Sequence, residues 1–151
     1  MQAWRLCRTA QRALDGEGAR LFGGRWNTPG VPVIYASESL SLAALEYLIH
    51  LDVAEEAPDL VALEIEIPDN AAVQEVLAAD LPEHWARTVE PRACKILGDG
   101  WLGSGSSLLL RVPAAPVPEE HNILLNPGHS GFGRVKVVRE RPFQFDPRLL
   151  A

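Results

Sequence analysis

Residues 33–50 read VIYASESLSLAALEYLIH, and this stretch decides how the flanking sequence is interpreted. The β-branched run from Val31 to Ala36, with Pro32 near its start, predicts a strand. Ser37 or Ser39 then offers an N-cap for an apolar helix that we expect to reach about Leu51. The stretch therefore predicts a strand followed directly by a helix.

Working outward, the chain mixes further strands and helices without a regular βαβ rhythm. Residues 15–31 form a glycine-rich loop that is long enough to be a binding loop. Residues 60–67 (LVALEIEI) alternate apolar and acidic side chains, which is typical of a half-exposed strand. The other predicted strands are 3–8, 108–112, 123–125 and 134–140, with 143–145 closing the sheet, and the other predicted helices are 81–87 and 91–103. This mixture favours the α+β class.

Length and composition describe an ordinary globular protein. The 151 residues, of which 47% are hydrophobic and 23% charged, predict one domain spanning 1–151 and exclude disorder as the main state. No apolar run reaches about 18 residues, so we expect no membrane span. No secretory signal opens the chain, and Cys7 and Cys94 have no CxxC spacing. We therefore expect a cytoplasmic protein.

Charge is distributed unevenly along the chain. The net charge of −6 disfavours direct nucleic-acid binding through a basic surface. Residues 1–37 carry +3, residues 38–90 carry −12 and residues 91–151 carry +3. Twelve of the fourteen bases are arginine, whose planar fork suits phosphate or carboxylate.

Glu46 is the charged residue that stands out on the apolar helix. A carboxylate on such a helix is costly to bury unless it is paired or neutralised. One interpretation makes Glu46 a functional carboxylate. The other places it on an exposed stripe, paired with His50 at i+4.

The segment Gly23-Gly24-Arg25-Trp26-Asn27 is the second candidate. Two glycines permit close backbone approach to a ligand, arginine offers a phosphate fork and tryptophan a stacking face. The alternative is a tight turn with a solvated Arg25 and a core Trp26. Tyr35 ends the strand as a packing residue or a site residue, and Gly103 to Ser107 is an anion loop or a flexible joint. The four histidines lack metal-ligand spacing, so we expect no metal.

Taken together, these pieces resemble the RES domain family, which is named for an Arg, a Glu and a Ser. Four stretches carry the resemblance in order: GGRWN at 23–27, VIYAS at 33–37, SLAALEYLIH at 41–50 and LLLRVPAAPVPEEHNILLNPGHSGF at 108–132. RES proteins are toxins of bacterial toxin–antitoxin pairs, usually encoded with an Xre-type helix-turn-helix antitoxin. Their fold is similar to that of ADP-ribosyltransferases, which implies a compact domain with a mixed or antiparallel sheet core and flanking helices.

The resemblance implies that this protein consumes NAD. It maps Arg25, Tyr35 and Glu46 onto the family's Arg, Tyr and Glu as catalytic residues. Arg25 would hold the pyrophosphate, Tyr35 would wall the nicotinamide and Glu46 would stabilise the cationic ribose. The same resemblance places Ser37, Asn126 and the Ala114 position at the NAD site. It also implies that the first and last segments of the chain converge on an anionic ligand.

The chain departs from the family at one point. The family's Ser normally follows Val-Pro, and here Ala114 follows Val112-Pro113, so either Ser106 or Ser107 compensates or activity is reduced. The acceptor of ADP-ribose stays open between water, phosphate and a protein side chain. Two alternatives remain: a non-enzymatic module that keeps the pocket without catalysis, and an interaction protein that acts only through its antitoxin.

Overall fold

A computed structural model describes residues 1–51, 59–88 and 91–150. Its strands form one seven-stranded sheet in the order β4-β5-β6-β2-β1-β3-β7. The strands are β1 (Gln2–Arg8), β2 (Ile34–Ser37), β3 (Leu60–Glu66), β4 (Val73–Glu75), β5 (Leu109–Pro113), β6 (His121–Leu125) and β7 (Lys136–Phe143). The α-helices are α1 (Glu17–Phe22), α2 (Leu40–Ile49) and α3 (Arg92–Ser104). Strands β4 and β5 are parallel and the other neighbours antiparallel, which confirms the α+β class.

Helix α2 follows β2 after a two-residue connection. Ser39 is its N-cap, because its side chain accepts a hydrogen bond from the Leu42 amide. Ser37 is the last residue of β2 instead. The buried residues Leu42 and Ala43 direct one side of α2 toward the sheet, where Ala43 shares a core cluster with Leu6. This packing fixes which side of the helix faces β1 and β2.

Strand β3 is buried on both faces, so the prediction of a half-exposed strand is wrong. Its first six residues are buried, because β1 and β7 flank it and core clusters cover both faces of the sheet. The alternation misleads because Glu64, only 5% exposed, is neutralised by Arg139 of β7, whose Nε donates to its Oε2 at 2.8 Å. A buried carboxylate is tolerated where such a partner exists.

Strands β1 and β2 diverge, and this opening positions the site. They share one register pair, Trp4 with Ser37, whereas β1 pairs with β3 along its whole length. Beyond that pair, the Tyr35 carbonyl accepts a hydrogen bond from Arg5 Nη1 at 3.0 Å. A side chain thus bonds a carbonyl of β2 at the point where the backbone pairing with β1 has ended.

Several shorter elements differ from expectation. The loop predicted over 15–31 contains α1, and β4 was not predicted. The helix predicted over 81–87 is limited to a 3-10 turn at Trp85–Arg87. The segment 143–145 does not add a strand, because β7 ends at Phe143 and that ring packs edge-on against Phe145 at 5.2 Å. In the described ranges, no helix combines the length and the apolarity that a bilayer crossing requires.

Candidate functional site

A cleft of about 500 Å³ lies where β1 and β2 separate. Its wall combines residues of β1, the α1 region and the loop after it, β2, α2 and the start of β6. The polar residues of this wall include Arg5, Arg25, Tyr35, Ser37, Glu46 and Asn122. Four of the residues singled out from the sequence are therefore brought together: Arg25, Tyr35, Ser37 and Glu46.

Glu46 lies half-buried on the side of α2 that borders the cleft. Its Oε1 accepts a hydrogen bond of 2.7 Å from Asn122 Nδ2. His50, one turn further along, also borders the cleft but is exposed. The partner that the structure gives Glu46 is thus Asn122 on β6, and the alternative of a Glu46–His50 pair on a solvent-facing stripe does not hold.

Asn122 is held in turn by Ser37. The Ser37 hydroxyl donates to Asn122 Oδ1 at 2.7 Å, and Ser37 is only 3% exposed. Residues 37 and 122 are register partners of β2 and β6. Asn122 was not predicted as a site residue, because its importance arises only when the register places it between a serine and a glutamate that are remote along the chain.

The Arg25 loop is shaped by its glycines and by Tyr35. Gly23 has φ of +73°, which favours glycine, and a Cβ on Gly24 would lie 2.7 Å from the Tyr35 hydroxyl. That hydroxyl accepts from the Trp26 amide at 3.0 Å and donates to Asn27 Oδ1 at 2.6 Å. Tyr35 therefore ties the loop to β2.

Burial sets the protonation of Tyr35. Removal of the phenol from water raises its pKa well above the ordinary value, although hydrogen bonds from the Trp26 and Asn27 backbone oppose the shift. The hydroxyl consequently stays protonated at neutral pH and remains a donor to Asn27. Its ring borders the cleft while its hydroxyl is engaged in the loop.

Arg25 is anchored at the cleft wall. Its Nη1 donates to the Trp85 carbonyl at 3.1 Å, and the side chain is half-buried beside Cys94. Trp26 next to it is 2% exposed and packs against Trp85. The sequence left open a tight turn with a core Trp26 and a solvated Arg25. The structure confirms the core Trp26, but Arg25 is not freely solvated.

Arg5 is a second arginine of the cleft, and it was not predicted as a site residue. Its Nη1 bonds the Tyr35 carbonyl, while its Nε is buried and has no hydrogen-bond partner among the described residues. An unpaired buried donor is costly, and a ligand acceptor would satisfy it. The available signal was an arginine inside the apolar strand sequence AWRLC at 3–7.

A comparison with protein families assigns the chain. The profile of the RES domain matches residues 2–146. The chain belongs to the RES domain family.

Relatives and solved structures agree with that assignment. The chain is 35% identical to "Prs ADP-ribosylating toxin" of Sphingobium sp. (strain YBL2), over 97% of this chain and 95% of the relative. It is 40% identical to "Toxin Res" of Yersinia enterocolitica, over 89% and 88% of the two chains. Its fold is similar to a chain in the crystal structure of the M. tuberculosis MbcT-MbcA toxin-antitoxin complex, with a TM-score of 0.80 and 22% identity, over 99% of this chain and 86% of the other.

Two residues that the family resemblance placed at the site lie outside the cleft wall. Asn126 follows β6 and folds back on its own turn, where its Oδ1 accepts from the Gly128 amide at 2.9 Å. It is four strand positions from Asn122, or about 13 Å. Ala114, at the position of the family's Ser, is fully buried just after β5, and its amide donates to the Glu120 carbonyl.

The serines considered as replacements for the family's Ser are also remote from the cleft. Ser106 and Ser107 follow α3, and both hydroxyls donate to Gln74 at the β4 side of the sheet. Ser107 also accepts a hydrogen bond from the Trp101 indole. The stretch 103–107 therefore ends α3, leads into β5 and is hydrogen-bonded to β4. In this RES domain Ser37 is the serine that is linked to Glu46, through Asn122.

The positive charge of the cleft comes from the first segment of the chain, residues 1–37, which supplies Arg5 and Arg25. The expected convergence of the first and last segments is wrong for the described residues, because the bases of 91–150 do not line the cleft. Arg111 and Arg139 pair with glutamates instead. The acids at 52, 55, 56 and 90 lie outside the described residues.

Metal ligation is a separate question. Within 1–51, 59–88 and 91–150, no group of three or more His, Cys, Asp and Glu side chains is arranged to hold an ion. The polar groups that the described residues bring to the cleft wall include a carboxylate, an amide, a hydroxyl and two guanidinium groups.

Proposed function

We propose that this RES domain is a toxin that cleaves the nicotinamide–ribose bond of NAD and transfers ADP-ribose to an acceptor. The observation that carries the proposal is the Glu46 carboxylate, held by Asn122 in a cleft that also contains Arg5 and Arg25. The relative named as an ADP-ribosylating toxin supports the same reaction class.

The cleft suits a dinucleotide in size and charge. Its volume of about 500 Å³ falls in the range of roughly 300–1,000 Å³ that small-molecule sites occupy. Guanidinium groups bind phosphate oxygens through charge-assisted, often bidentate hydrogen bonds. Arg5 and Arg25 supply two such groups at one wall, so we assign them to the pyrophosphate.

Glu46 would act on the ribose. When the bond between C1′ and the nicotinamide nitrogen breaks, its electron pair leaves with nicotinamide and the ribose becomes an oxocarbenium-like cation. A fixed carboxylate stabilises that charge, and it also accepts a hydrogen bond from a ribose hydroxyl. The acceptor then donates a lone pair to C1′ and loses a proton. The ring of Tyr35 would wall the nicotinamide.

The acceptor and the partner belong to the proposal as well. A protein side chain is favoured as acceptor by the name of the Sphingobium relative, with water and phosphate as alternatives. An antitoxin partner is supported by the structural neighbour, which was solved as a toxin–antitoxin complex. The family resemblance favours an Xre-type antitoxin. We also propose a cytoplasmic location, where NAD is available.

The non-enzymatic alternative rested on Ala114. Ala114 is fully buried and lies outside the cleft wall, which weakens that support. The cleft keeps its carboxylate and two arginines, which favours catalysis over a binding module.

The decisive experiment is mass spectrometry of products after incubation of the purified protein with NAD, with and without phosphate and a cell lysate. We expect release of nicotinamide, and we expect Glu46→Gln to lower its rate on the order of 100-fold or more. Glu66→Gln is the matched control, since Glu66 is exposed at the end of β3. Undiminished turnover in Glu46→Gln would refute the mechanism.

A further inference from the structure

We propose that Asn122 is a positioning residue that fixes the Glu46 carboxylate through a chain of hydrogen bonds beginning at Ser37. The inference rests on the proposed function and deepens it. It concerns how a glutamate on a helix is held at a cleft formed by strands.

The chain of hydrogen bonds has one chemically consistent direction. A carboxylate only accepts, so the amide group of Asn122 must present Nδ2 to Glu46, at 2.7 Å. Its Oδ1 then faces Ser37, whose hydroxyl donates at 2.7 Å. The Ser37 hydroxyl thereby supports the amide orientation that the carboxylate requires.

Burial and register make this arrangement rigid. Ser37 is 3% exposed, and residues 37 and 122 pair directly across β2 and β6. Glu46, by contrast, is on a helix and carries a long flexible side chain. The paired strands are the fixed element, so Asn122 orients the carboxylate and leaves Oε2 as the oxygen available to a ribose hydroxyl.

The amide has a close mimic whose properties depend on pH. The carboxyl group introduced by Asn122→Asp would have the same shape as the amide, but it can donate to Glu46 only when it carries a proton. Two carboxylates at hydrogen-bond distance share one proton, and the loss of that proton is shifted to higher pH. The variant should therefore position Glu46 at low pH and repel it at high pH.

Other titratable groups around the cleft could also produce a pH dependence. Those in its wall are Arg5, Cys7, Arg25, Tyr35, Tyr47 and His50, besides Glu46. All of them are present in wild type and variant alike. The ratio of the two kcat values at each pH consequently isolates the contribution of position 122.

The experiment measures kcat and KM for NAD from pH 5 to 9 in wild type, Asn122→Asp and Asn122→Ala. For Asn122→Asp we expect the kcat ratio to approach wild type at low pH and to fall about tenfold per pH unit above the pKa of the shared proton. For Asn122→Ala we expect kcat to fall on the order of 100-fold at every pH, with a smaller change in KM. A residue that only supported the fold would not produce the pH-dependent ratio.

Asn70→Asp is the matched control. Asn70 is an exposed asparagine outside the cleft wall, and aspartate keeps the acceptor that Arg134 Nη1 contacts. Its kcat ratio to wild type should be independent of pH. A pH-independent ratio of the kcat of Asn122→Asp to that of an active wild type would overturn the positioning role of Asn122 and leave the proposed function intact.

Thermal unfolding supplies a readout that does not need turnover. The Tm of Asn122→Asp relative to Asn70→Asp should decrease between pH 5 and 8, because the shared proton is lost. An unchanged Tm difference would show that position 122 does not contact Glu46 and would refute the inference. A wild type that does not consume NAD would refute the proposed function, and with it the positioning role.

Discussion

Tyr35 shows how a single residue serves the loop rather than the reaction directly. Its hydroxyl accepts from the Trp26 amide and donates to Asn27, both directly after Arg25 in the chain. Both bonds lie in a region largely removed from water, so each is costly to leave unmade. The placement of Arg25 therefore depends on the Tyr35 hydroxyl. Tyr35 is two residues before Ser37 on β2.

We predict that Tyr35→Phe weakens substrate binding more than it slows the chemical step. The variant leaves the Trp26 amide without its acceptor, which costs about 1–3 kcal/mol. The loop loosens, Arg25 is displaced and KM for NAD rises, while Glu46 keeps its partner. Urea unfolding and steady-state kinetics measure the two effects. An unchanged KM with a reduced kcat would contradict this division of roles.

Tyr35 also predicts how stability responds to alkaline pH. The unfolded phenol titrates near its ordinary pKa of 10.0, whereas burial raises the pKa in the folded state. Between these values the folded state binds more protons, so stability is complete below pH 10 and falls as the pH rises above it. The free energy of unfolding, followed from pH 8 to 11, should decline less in Tyr35→Phe than in wild type. Parallel curves would disprove the assignment.

At the scale of elements, α3 lies directly against the Arg25 loop. A Cβ on Gly98 would stand 1.7 Å from the Trp26 carbonyl oxygen, whereas a Cβ on Gly100 meets nothing within 4 Å. The same helix thus contains one glycine that the packing requires and one that it does not.

This pair gives a matched test. Gly98→Ala should push α3 from the loop, destabilise the protein by about 1–3 kcal/mol or more and raise KM for NAD. Gly100→Ala should stabilise it by about 0.5–1 kcal/mol, because alanine is the better helix former. Thermal unfolding of both variants checks the sign of each change. Equal changes of Tm in the two variants would show that the close contact of Gly98 with Trp26 does not restrict the side chain at position 98.

The elements that the sequence predicted correctly are those with local signals. Helix α2 has its Ser39 cap and apolar run, and α3 begins and ends within a residue or two of its expected range. Strand β4 and the burial of β3 were missed, because both depend on pairing with distant strands. The site residues differ in the same way. Glu46 could be predicted because its own helix is apolar, whereas the role of Asn122 depends on the pairing of β6 with β2.

At the scale of the whole molecule, the sheet is joined weakly at its centre. Strands β4-β5-β6-β2 form one side and β1-β3-β7 the other, and the two sides share the pair Trp4–Ser37. The Arg5 side chain adds a bond across this junction. The cleft therefore exists because the sheet is incompletely closed, and a bound ligand would bridge the same opening.

Ligand binding should consequently rigidify the junction between β1 and β2. Hydrogen–deuterium exchange of β2 peptides should be faster than that of β3 peptides. ADP-ribose at about 100 times its Kd should slow exchange in β2, because this occupancy raises the free energy of opening by up to about 2.7 kcal/mol. Arg5→Ala should accelerate exchange in β2 without ligand and reduce the protection by ADP-ribose. Arg141→Ala is the control, since Arg141 is exposed on β7 and bonds only its neighbouring carbonyl among the hydrogen bonds described. Equal exchange in both arginine variants would mean that the two sides of the sheet are held by their packing rather than by Arg5.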